Sequence, residues 1–138
     1  MMRRRRAREV ALQVLFQEDL NPRVDVRAAD EFLQRRVRTS ELLAFARGLV
    51  TGVRRHRPDL DAQIEKAAAN WSLARMAATD RNVLRLGAYE ILYSDTPAPV
   101  AINEAVELAR RYGTAQSGQF VNGILDRLFR DHAQGKKT

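Results

Sequence analysis

Apolar residues recur along this chain at spacings of three and four. No segment alternates apolar and polar residues with β-branched enrichment, so the pattern predicts helices and no strands. The first predicted helix spans Arg5 to Leu20 and stops before Asn21-Pro22, a pair that favours a turn. A second covers Val26 to Val37, burying Ala29, Phe32, Leu33 and Val37. The third starts at Ser40 as N-cap, has Glu41 in its first turn, and carries the stripe Leu42, Phe45, Ala46, Leu49, Val50 and Val53. Pro58 restricts Arg57 to extended backbone and so predicts a boundary. A fourth helix follows from Asp59 to Ala69, with Leu60, Ile64 and Ala67 inward. Asn70-Trp71-Ser72 reads as either a break or a continuation, and a short helical turn carries Leu73 to Met76. The fifth helix runs from Thr79 and Asp80 to Tyr93. Pro97 and Pro99 interrupt the pattern, and a sixth spans Val100 to Tyr112 with Gly113 as its C-terminal glycine. Ser117 caps the seventh, which ends near Arg130, and the polar tail DHAQGKKT (131–138) is expected to fray. The predicted fold class is all-α: a compact bundle of about seven helices with short connections, in one domain of 138 residues.

Composition narrows the function. The chain has no cysteine, which excludes disulfides, thiolate metal sites and a cysteine nucleophile, and suits a reducing cytosol. No apolar run approaches the roughly 18 to 20 residues needed to cross a bilayer. The run VALQVLF is broken at once by Gln17, Glu18 and Asp19, unlike a secretory signal. A cytoplasmic protein with no membrane partner is the expectation. The net charge is +7, and the basic excess is almost all arginine. Arginine presents a planar fork of donors suited to phosphate, so a polyanion is the natural partner.

Arg3, Arg4, Arg5, Arg6 and Arg8 lead straight into the first helix. At 100° per residue, Ala7, Val10, Ala11, Val14 and Leu15 form the core arc, while Arg5, Arg8, Glu9, Leu12 and Phe16 fall on another side. A basic stripe with an aromatic in line suits single-stranded nucleic acid, the guanidinium groups following phosphates and the ring stacking on a base. Two bland alternatives stand beside it. Phe16 could simply widen the core face, and the arginines could be a solvated tail.

No catalytic constellation emerges. His56 and His132 lack ligand-spaced partners, and Glu104 and Glu107 near Arg110 and Arg111 read as ordinary helical pairing. There is no glycine-rich phosphate loop and no nucleophile elbow, so neither an enzyme nor a cofactor is expected. Trp71 reads as a packing residue in preference to a stacking platform, and Asn103 and Glu104 as helix-end and interhelix hydrogen-bonding residues.

The runs RRRAREVALQVLF, WSLARMAATDRNVLRLGAYEIL, PVAINEAVELARRYG and SGQFVNGILDRL resemble the NusB family of transcription antitermination factors, in order and at the right spacings. Between Asn21 and Asp61 only helical character and FARGLVTGV carry the likeness. The resemblance implies an all-helical fold of two small subdomains that binds single-stranded boxA RNA. It implies NusE, a small-subunit ribosomal protein, as partner, and the RNA polymerase antitermination complex as destination. RNA contacts are then expected at Arg4, Arg5, Arg6 and Arg8, at Gln13 and Phe16 of the same helix, and at Gln116, Ser117 and Phe120 opening the last. Gln116 stands where relatives commonly carry an acid, which removes a repulsion toward RNA. Independently, a helix N-terminus offers unpaired N–H groups to a phosphate. Phe120 either presents a ring there or joins Ile124 in the core. The resemblance puts the NusE interface at Asp80, Arg81 and Arg85, on the exposed side of the fifth helix if Val83, Leu84 and Leu86 are buried. Asp80 also balances the helix dipole, which needs no partner. Competing expectations are a protein scaffold, including a homodimer that stores the RNA face. An enzyme component is a third, since such domains also occur ahead of a ribosomal RNA methyltransferase, but no Rossmann-type segment is present.

Overall fold

The computed structural model describes residues 2–69 and 71–137, without the side chains of Met2, Arg3, Lys136 and Lys137. The expectations that fell on the Arg3 side chain, on Asn70 and on Thr138 lie outside the described residues. Among them every regular element is helical: α1 (Met2–Leu20), α2 (Val26–Arg36), α3 (Ser40–Ala67), a 3-10 turn (Leu73–Arg75), α4 (Ala78–Tyr93), α5 (Ala98–Tyr112) and α6 (Ser117–Lys137). The chain divides into two compact units, Met1–Arg55 and His56–Thr138, with the division falling inside α3. Six helices replace the seven anticipated, because the third and fourth are one. Pro58 lies inside α3. Its missing N–H leaves the Arg54 carbonyl without its helical donor, but Pro58 is exposed, so water can satisfy that group. The buried stripe Leu49, Val50, Val53, Leu60, Ile64 and Ala67 keeps its helical phase straight across the proline. Packing of that stripe outweighs the local penalty.

In the first unit, α1 buries Ala7, Val10, Ala11, Val14 and Leu15 as the periodicity predicts. It ends where Asn21 N–H donates to the Gln17 carbonyl and the Asn21 side chain accepts from Arg23 N–H (3.2 Å), the turn expected at Asn21-Pro22. Asp25 caps α2 by accepting from Arg27 N–H (3.0 Å). Thr39, not Ser40, caps α3, its Oγ1 accepting from Leu42 N–H (3.3 Å). Two charged clamps close this unit. Arg47 on α3 grips Asp30 on α2 through two bonds (2.7 and 2.9 Å), and Arg54 on α3 grips Glu18 on α1. The Arg47 hydrogen bond holds the Asp30 carboxyl below the usual carboxylate range.

In the second unit α4, α5 and α6 pack on one another. Gly87 lets them close: a Cβ there would lie 2.6 Å from a Leu125 methyl and 3.2 Å from the Ala105 Cβ. Ala98 opens α5, with Pro97 as cap and Pro99 in the first turn, where a missing N–H costs little. Helix α6 continues to Lys137 instead of ending near Arg130. No helix among the described residues is long and apolar enough to cross a membrane.

Candidate nucleic-acid interface

Helix α1 starts at Met2, so Arg4, Arg5, Arg6 and Arg8 are helical and not a loose tail. Its first turn has no acid, so guanidinium groups crowd the positive pole of the helix dipole. That arrangement is unfavourable in isolation and favours an anion. Arg4, Arg5 and Arg6 are exposed as expected, with Arg6 4.0 Å from Glu9. Arg8 is a correction: only 4% exposed, it does not share an open stripe with Arg5. The cause is Phe45 of α3, which the sequence assigned only to the core stripe. The guanidinium carbons of Arg4 and Arg8 lie 4.6 and 5.1 Å from its ring centroid. Phe45 therefore anchors one turn of the basic motif. Phe16 is half-buried, as is Gln13, whose Oε1 is buried without a hydrogen-bond partner.

The start of α6 is built by α5 and its glycine. Gly113 is the C-cap of α5, as expected, with φ −101° and so outside the left-handed region. Space is what requires glycine: a Cβ would sit 2.7 Å from the Ser117 Cβ and 2.8 Å from the Ala109 carbonyl. Ser117 is buried, and its Oγ accepts from Thr114 N–H (2.9 Å). It shapes the 114–116 turn and presents nothing to solvent, which corrects its expected RNA contact. Nor is it the cap, since the Gln116 carbonyl accepts from Phe120 N–H at 3.0 Å. Gln116 is exposed and Phe120 half-buried. Arg110 crosses the first turn at Gly118, where an added Cβ would meet its Cγ at 2.9 Å. Trp71 corrects the packing expectation. It is 54% exposed and meets Phe120 ring to ring at 6.0 Å and 75°.

On α4 the anticipated exposed face is absent. Asn82 through Ala88 are buried around the whole helix, Arg85 included. Arg85 pairs with Asp61 of α3 at 2.8 and 3.1 Å, a structural ion pair. Arg81 donates to the Leu73 and Met76 carbonyls (3.0 and 3.1 Å), tying the 3-10 turn to α4. Asp80 is half-buried, and its Oδ1 lacks a hydrogen-bond partner. Asn103 is exposed and Glu104 half-buried. His56 stacks on Tyr93 (3.8 Å, 10°). Among the described residues no group of three or more His, Cys, Asp or Glu side chains could hold a metal ion.

Residues 5–130 match the NusB family model. The chain is 42% identical over 131 residues to the transcription antitermination protein NusB of Bdellovibrio bacteriovorus, covering 94% of this chain and 96% of that protein. It superposes on the structure of T. maritima NusB with a TM-score of 0.84 at 38% identity, covering 97% and 95% of the two chains. A crystal structure of the antitermination factors NusB and NusE in complex with dsRNA gives 0.85 at 28% identity, covering 95% of this chain and 98% of that one.

Proposed function

The chain belongs to the NusB family, and from that premise we propose that it is a transcription antitermination factor that binds boxA RNA together with NusE. A relative of nearly the same length is seen with both NusE and RNA. The single observation in this molecule that carries the reading is the acid-free, arginine-crowded N-terminal turn of α1, with Arg4, Arg5 and Arg6 exposed. A phosphate backbone would bring to that pole the negative charge its own first turn lacks. Gln13 and Phe16 on α1, and Gln116 and Phe120 at the start of α6, supply amide and ring contacts to bases. Arg8 supports the first set through Phe45, and Ser117 the second through the 114–116 turn. Asp80 and Arg81 remain the NusE-facing pair, with Arg85 holding α4 to α3 beneath them. The role is regulatory, in the cytoplasm, with no bond made or broken.

The test is a gel shift on a boxA oligonucleotide with purified NusE added or withheld. A shifted band that is strongest with both proteins supports the reading. Equal mobility with and without this chain, at protein in large excess, would overturn it.

A further inference from the structure

We propose that Trp71 is a base-stacking residue, pairing with Phe120 to form an unpaired-nucleotide subsite at the start of α6. This deepens the RNA-binding reading above and rests on it.

The indole is the largest apolar side chain in the unit, and hydrophobicity alone would bury it. Instead 54% of it is in solvent. Its contact with Phe120 is near-perpendicular, so that ring covers at most one face of the indole. The backbone that delivers it is itself unusual. Ala69 holds φ 54°, the left-handed region that a side chain disfavours, and Trp71 N–H donates to the Ala68 carbonyl at 3.3 Å. An exposed ring is what a stacking platform requires, and core packing does not. The surroundings choose the occupant. Arg75, Arg110 and Arg111 are exposed, the first turn of α6 contains no acid, and the Arg110 side chain lies across Gly118. An exposed indole on Phe120, with Arg110 (itself 3.2 Å from Glu107) lying across Gly118 two residues before that phenyl ring, suits a ribonucleotide strand, whose bases stack while its phosphates meet cations.

Trp71 is the chain's one tryptophan, so its fluorescence reports this position alone. Titrating a boxA oligonucleotide should quench it. In gel shifts with NusE, Trp71→Ala should weaken binding roughly 5- to 150-fold, and Trp71→Phe should retain most of the affinity. Replacing one nucleotide at a time by an abasic site should reveal a position that matters to the native chain and not to Trp71→Ala. Thermal melts confirm that each variant folds, and should the alanine variant not fold, quenching and the phenylalanine variant decide. If a band forms at native affinity with Trp71→Ala and the indole emission does not respond to RNA, stacking is wrong while the antitermination reading survives. Emission that responds to NusE alone assigns the ring to a protein interface and also overturns it. Failure of the native chain to shift RNA removes both.

Discussion

Ala69 occupies a backbone conformation that costs an L-residue about 1–2 kcal/mol. Glycine adopts it freely but loses more conformational freedom on folding, an offset of roughly 0.5–1 kcal/mol. Ala69→Gly should therefore raise stability by up to about 1 kcal/mol, read as a rise of a few degrees in Tm. A clear fall in Tm would show that neighbouring contacts relieve the strain. Tyr93 offers a pH test at the same scale. Its hydroxyl donates to the Asp59 carboxylate, and that bond pushes its pKa above the ordinary tyrosine value. A raised folded pKa contributes stability that is complete below the unfolded value of about 10 and is lost as pH rises through the folded one. The native chain should thus lose stability on the alkaline side of pH 10 more steeply than Tyr93→Phe, in urea melts taken across that range. Matching alkaline limbs would remove the bond from the account.

Helix α3 shows how an element can override its own residues. An interior proline costs about 3 kcal/mol relative to alanine, yet the buried stripe from Leu49 to Ala67 holds the helix together. Pro58→Ala should stabilise the chain by about 1–3 kcal/mol, less the gain in unfolded-state freedom, with the α-helical circular dichroism unchanged. A lowered midpoint would mean that the proline is positively required. The same helix marks where sequence reasoning stopped. Spacing of three and four identified each helical segment, because that signal is local and survives any packing. Pro58 was misread because the steric rule was applied without following the apolar phase from Val53 to Leu60. Arg8 and Arg85 were placed on open faces because burial was judged by charge. Their partners, Phe45 and Asp61, come from another helix far along the chain, and periodicity carries no such information. Gly113 was recognised as the end of a helix, but the crowding by Ser117 that demands glycine there lies outside any local pattern. Arg4, Arg5, Arg6 and Gln116 were read correctly as exposed.

Across the whole molecule the proposed RNA-contacting positions fall in both units, Arg4 to Phe16 in the first and Gln116 to Phe120 in the second. The two shares differ in chemistry, and salt separates them. Exposed guanidinium groups act on phosphates through counterion release, at about −0.7 in the log–log slope per contact on a single strand. Stacking on a ring releases no counterions. Replacing Arg4, Arg5 and Arg6 together with Ala should therefore flatten the salt dependence of RNA affinity by up to about 2 slope units. All three are exposed, so the thermal midpoint should hardly move. Trp71→Ala should lower affinity by a similar factor at every salt concentration, leaving the slope as it was. The arginine triple removes cations from the positive pole of α1 but also the Arg4–Phe45 and Arg6–Glu9 contacts, and these opposing effects should largely offset. A triple variant with the native slope would show that phosphates do not sit on that turn, whatever else the family likeness implies.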